Sequence, residues 1–180
     1  MGDYKYVIYE TKDQVATITM NLPDRLNVVD FPWEEGIFDD LLAAINEAEL
    51  DDDVKVVVYK GAGKSFCAGH DLTKIYKVYE NFDEEPGKRR PSQHARLKID
   101  KFWYEMEHKI LISSKITISQ VQGHCLGEGA LIAESCDFTI CAEDAKIGHP
   151  EQRMGFCGSG IPTIPILYLK IGYTRARDLL

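Results

Sequence analysis

The sequence predicts an α/β fold built around a largely parallel sheet. Three observations lead there. Short β-branched runs alternate with amphipathic helical stretches, the pattern of strands joined by crossover helices. The run Val54 to Tyr59 (VKVVVY) reads as a buried strand. Glycine-rich breaks then follow that run and a second one ending at Gln122.

The elements follow in chain order. Residues 4–10 and 14–20 are β-rich and alternating, with Lys12-Asp13 read as the tight turn of a hairpin. Asn21 to Asn27 is a loop, by its Pro23 and Asp24. Residues 34–50 carry Ile37, Leu41, Leu42, Ile45 and Ala48 at helical spacing, and Asp51-Asp52-Asp53 ends that helix. Gly61-Ala62-Gly63 breaks the strand at 54–59. Residues 74–93 are charged and punctuated by Pro86, Gly87 and Pro91, and read as an excursion. Residues 94–114 hold Leu97, Phe102, Met106 and Ile110 on roughly one helical face. Ile116 to Gln122 is a strand, Gly123 to Gly129 a turn, 130–135 a helix and Asp137 to Ala142 a strand. Residues 143–165 read as loop, and 166–180 begin a helical pattern. No internal repeat or low-complexity tract is present.

A length of 180 residues suits one domain, so residues 1–180 are read as a single core. The net charge of -8 argues against a nucleic-acid binder, whose footprint is usually basic. No stretch approaches the roughly 18 apolar residues of a membrane span. Five cysteines, an odd number, fit a reducing compartment, and a cytoplasmic location is expected.

Several familiar motifs fail on inspection. Gly61-Ala62-Gly63-Lys64-Ser65 suggests a phosphate loop, but Val58 stands where its first glycine belongs. Gly127-Glu128-Gly129 sits between a strand and a helix, yet Ile132 occupies the third glycine position of a dinucleotide fingerprint. Cys125, Cys136 and Cys141 lack zinc spacing and read as buried thiols, and no metal is expected. Cys157 replaces the first glycine of a nucleophile elbow in Cys157-Gly158-Ser159-Gly160.

Two junctions survive this sorting: Ser65 to Leu72 (SFCAGHDL) and Val121 to Gly129 (VQGHCLGEG). In each, small residues let the backbone bend tightly and present N–H groups. The second runs into a helix whose first N–H groups lack intrahelical partners. Two such turns aimed at one point would bind developing negative charge.

The residues carry a resemblance. Phe66 to Leu72 resembles the F-x-A-G-x-D-L signature of the crotonase, or enoyl-CoA hydratase/isomerase, superfamily. Gln122 to Gly129 resembles its N-G-x-x-x-G-G-G signature. Asn21-Leu22-Pro23 through Asn27 is similar to its N-x-P-x-x-x-N loop. Cys136-Asp137 with Ala142 to Ala145, and Ile147 to Glu151, resemble the stretches that follow.

The resemblance implies a repeated ββα spiral core and a thioester oxygen held by the N–H groups of His70 and Glu128. It implies that Leu26, Asn27, Ala68, His70, Asp71, Leu72 and Gly127 lie near the coenzyme A. Coenzyme A would enter as part of an acyl-CoA substrate, with no permanently bound cofactor. Family members continue into a C-terminal helical region and form trimers or dimers of trimers. This sequence stops where that region would begin, and a truncated or unusually short chain is expected.

Hydratases of the family use two glutamates, and the corresponding positions here are Leu131 and Glu151. A single carboxylate suits a reaction that moves a proton, so isomerisation of an enoyl-CoA is expected ahead of hydration. The alternative is a binding or scaffold member that has lost catalysis. Glu128 could turn into the pocket as a substitute acid/base or out to solvent. Outward is expected, because a carboxylate facing an enolate opposes it. His70 and His149 flank the site and could hydrogen-bond the substrate or Glu151, His70 being a catalytic candidate beside Glu151 and Glu128, although local structural roles are expected of both histidines. Lys88-Arg89-Arg90 reads as a solvated loop rather than a phosphate contact, and Phe102-Trp103-Tyr104 as helix packing.

Overall fold

The computed structural model describes residues 2–30, 36–73, 93–154 and 163–179. Alternating residues make β1 (Val7–Lys12) and β2 (Val15–Met20) an antiparallel hairpin. Lys12 pairs with Val15, so the turn is Asp13-Gln14, one residue later than the sequence suggested. Both turn residues have positive φ, 51° and 68°. A two-residue hairpin takes that hand because it matches the twist of its strands.

β2 pairs in parallel with β3 (Val56–Gly61), β3 with β4 (Ile116–Val121), and β4 with β6 (Phe138–Cys141). The sheet order is β1-β2-β3-β4-β6, a parallel sheet with an antiparallel edge. β3 runs through Gly61 instead of breaking there, and Val54 lies in the turn before it, with its N–H bonded to the Asp51 carbonyl.

α1 (Ile37–Leu50) packs on β1 and β2 through Ile37, Phe38, Leu41, Ala44, Ile45 and Ala48. Ile18 and Met20 of β2 and Val57 and Tyr59 of β3 join the same core. α2 (Gln93–Leu111) packs against α1 and α3 (Glu128–Ser135). Phe102 of α2 meets Phe38 edge-on with ring centroids 6.5 Å apart, the packing role expected of it. The Trp103 side chain, Lys88-Arg89-Arg90 and residues 74–92 lie outside the described set.

Four short elements among the described residues escaped the sequence. β5 (His124–Leu126) and β7 (Lys146–Gly148) form a separate two-stranded parallel sheet, and Pro23–Arg25 and Pro150–Met154 are 3-10 turns. α3 begins at Glu128, two residues before the expected start. The final helical pattern divides into α4 (Thr163–Ile171) and α5 (Tyr173–Leu179), separated by Gly172 at φ 80°.

Candidate active site

Single-residue bridges carry the sheet architecture into the two junctions. Val29 bridges His70, and Cys67 bridges Cys125. Around them, the Cys67 N–H bonds to the His124 carbonyl at 3.0 Å and the Leu126 N–H to the Cys67 carbonyl at 3.0 Å. The Gly127 N–H bonds to the Gly148 carbonyl at 3.0 Å, so β7 holds the second junction from behind.

The two turns touch. Gly69 has φ 96° and Gly127 φ 52°, left-handed values that favour glycine. A Cβ added at Gly69 would come within 2.9 Å of the Leu126 carbonyl oxygen and 3.7 Å of the Glu128 nitrogen. A Cβ added at Gly127 would lie 2.9 Å from Glu151 Oε1 and 3.9 Å from the Gly69 Cα. The start of α3, the 69–70 turn and the Glu151 carboxyl therefore converge. The Glu128 N–H is the first of its helix and is not used by the intrahelical ladder.

The other residues singled out from sequence take varied places. Asn27 is fully buried, and its Nδ2 donates to the carbonyls of Ala62, Ser65 and Phe66 at 2.9, 2.9 and 3.1 Å. Its Oδ1 accepts from the Leu22 N–H at 2.8 Å. The amide thus fastens the 21–27 loop to the end of β3. The Leu26 carbonyl accepts from the Ala68 N–H at 3.0 Å. Asp71 pairs with Arg25 and accepts from the Thr73 N–H and hydroxyl. Burial opposes its ionisation, but those bonds outweigh it and hold the carboxyl below its ordinary range. Leu72 is exposed, and Leu131 is buried within α3.

Glu128 corrects the outward expectation. It is 3% exposed, and its Oε2 lies 3.2 Å from His70 Nε2. All eight residues of α3 are buried, so an outward path is closed. Its carboxyl also meets that of Glu107, a fully buried residue of α2 that the sequence reading missed. The available signal was a carboxylate between Met106 and Ile110, on the apolar face of a helix. Burial, then the Glu128 charge, raises Glu107 well above the ordinary carboxyl range. Burial also raises Glu128, with the Glu107 hydrogen bond opposing and the Glu151 charge adding. Burial lowers His70, against its bond to the Val29 carbonyl and nearby carboxyls.

A second buried pair stands behind Glu151. His149 Nε2 is 2.8 Å from Glu134 Oε1, and His149 Nδ1 is 3.9 Å from Glu151 Oε2. Burial pulls His149 down, but the Glu134 bond and charge outweigh it and raise its pKa. Cys67, Cys125 and Cys136 are buried free thiols, with Cys67 pushed up to about 12 by burial. Among the described residues, no group of three His, Cys, Asp or Glu side chains could hold a metal. None of the described helices is long and apolar enough to cross a membrane.

The fold and its paired glycine turns define a crotonase-type α/β protein, and comparison with known proteins agrees. Residues 10–180 match the enoyl-CoA hydratase/isomerase family, and the chain belongs to it. It is 31% identical over 174 residues to a Mycobacterium tuberculosis protein named as an enoyl-CoA hydratase, EchA13, covering 87% of this chain and 52% of that one. It is 27% identical to the mitochondrial Δ(3,5)-Δ(2,4)-dienoyl-CoA isomerase of Dictyostelium discoideum, covering 98% and 59%. An enoyl-CoA hydratase/isomerase structure from Xanthobacter autotrophicus Py2 superposes with TM-score 0.81 at 30% identity, covering 98% and 59%. The chain therefore spans about half to three fifths of these relatives' lengths.

Proposed function

We propose that this protein acts on an acyl-CoA thioester, with the N–H groups of His70 and Glu128 holding the enolate oxygen and Glu151 moving the proton. The carrying observation is the convergence at Gly127, where the Glu151 carboxyl lies against the same turn that abuts Gly69 and leads into α3. An N–H pair and a carboxylate at one point are what proton abstraction next to a thioester carbonyl requires. Double-bond isomerisation of an enoyl-CoA is favoured over hydration, because Leu131 removes the second glutamate that would help position a water. Coenzyme A enters as part of the substrate, and assembly as a homotrimer or dimer of trimers belongs to the same reading.

Glu151→Gln tests the assignment. Loss of deuterium uptake from heavy water at C2 of a CoA ester by a factor of roughly 100 or more is expected, with ester binding retained. Undiminished exchange would remove Glu151 from the reaction. Binding without exchange by the unmodified protein would favour the non-catalytic binding role.

A further inference from the structure

We propose that Glu107, Glu128 and His70 form a buried proton-sharing array whose Glu128 carboxyl is the second acid/base group of this site, delivering a proton to substrate. The proposal rests on the thioester-enolate reading above.

Hydrogen-bond logic places the protons. His70 Nδ1 lies 3.3 Å from the Val29 carbonyl oxygen. A carbonyl only accepts, so that nitrogen carries the hydrogen. In the neutral ring favoured by burial, Nε2 is then an acceptor. Glu128 Oε2, 3.2 Å away, must donate to it or have passed its proton across. Written as carboxylates, Glu128 and Glu107 would each leave a buried oxygen without a donor, Oε1 and Oε2 respectively. The two carboxyls meet, so a proton on one supplies the missing donor. The second ionisation of such a pair is opposed by the charge already present, and its protons belong to the pair. Among the described residues, the other titratable groups facing the array are Cys67, Asp30 and Glu151.

This removes the objection to an inward Glu128, since a neutral carboxyl does not repel an enolate. With a 3-enoyl-CoA, the Glu151 carboxylate takes a C2 proton and the C–H electron pair enters the dienolate. The Glu128 O–H delivers its proton to C4, forming a C–H bond and leaving the double bond between C2 and C3. Glu128 ends ionised and Glu151 protonated. A proton returning through solvent resets both, and no other reactant is consumed. Glu107 is a positioning residue: its O–H stabilises the Glu128 carboxylate left behind.

The test measures C2 exchange and double-bond shift separately, using 3-hexenoyl-CoA in heavy water. Glu128→Gln should lower the double-bond shift by roughly 100-fold or more, and lower it far more than it lowers C2 exchange. Glu107→Met removes the donor to the Glu128 carboxylate, so the alkaline limb of the shift rate should move to higher pH. Glu107→Gln keeps an N–H donor and should leave that limb near its original place. An unchanged shift in Glu128→Gln, equal loss of exchange and shift there, or an unmoved limb in Glu107→Met overturns the proposal. Absence of C2 exchange by the unmodified protein, with this probe and a panel of other CoA esters, would instead sink the enolate reading itself.

Discussion

Asn27 and Glu128 show how differently two polar residues of this site are held. Asn27 satisfies three carbonyls and one N–H while fully buried from solvent. Asn27→Ala would leave those groups without their side-chain partner, and a loss of about 1–3 kcal/mol is expected in chemical denaturation. The motif made Asn27 visible in the sequence, but its use as an internal fastener was not, because the three carbonyls it holds lie 35–39 residues away. Glu128 was visible too, while the direction of its side chain was not. That direction depends on α2 packing over the start of α3 with Glu107 at the contact.

At the level of elements, tight backbone approach governs the site. Gly127→Ala would place a methyl 2.9 Å from Glu151 Oε1 and strain a residue at φ 52°. Thermal unfolding should report about 1–3 kcal/mol of destabilisation. Exchange activity should fall too, since the methyl displaces the Glu151 carboxyl. The β1–β2 hairpin offers the reverse case. Gln14 holds φ 68°, which glycine adopts without steric cost. Gln14→Gly should therefore stabilise the hairpin by up to about 1 kcal/mol, read as a higher midpoint in denaturant. The long strands and helices were legible from periodicity. β5 and β7 were not, because three-residue strands carry too little alternation and form only by pairing with distant residues.

Across the whole molecule, the buried carboxyls couple folding to pH. Glu107 ionises above its ordinary range when folded, so the unfolded chain releases its proton first. Its ionisation costs no stability below an ordinary carboxyl pKa of about 4.5, and stability falls as pH rises through the window up to the folded value. The raised His149 adds stability that is full below about pH 6.5 and lost as pH rises through its folded pKa. Both act in the same direction. Glu107→Met should therefore gain stability relative to the unmodified protein as pH rises above about 4.5, at up to roughly 1.4 kcal/mol per pH unit. Parallel denaturation curves at several pH values would reveal it, and a pH-independent difference would remove Glu107 as the source.

The sequence by itself determined the α/β class, the largely parallel character of its sheet and the two glycine turns. Those properties rest on local periodicity and on backbone conformations that few residues tolerate. It also shows a leucine, Leu131, where the family resemblance implies a glutamate. Only the tertiary structure decided that Gly69 and Gly127 touch, that Glu151 lies against them, and that Glu128 faces inward to His70 and Glu107. The reason is that burial and proton sharing are properties of groups brought together from distant parts of the chain. No window of sequence holding one of those carboxyls contains the neighbour that sets its charge.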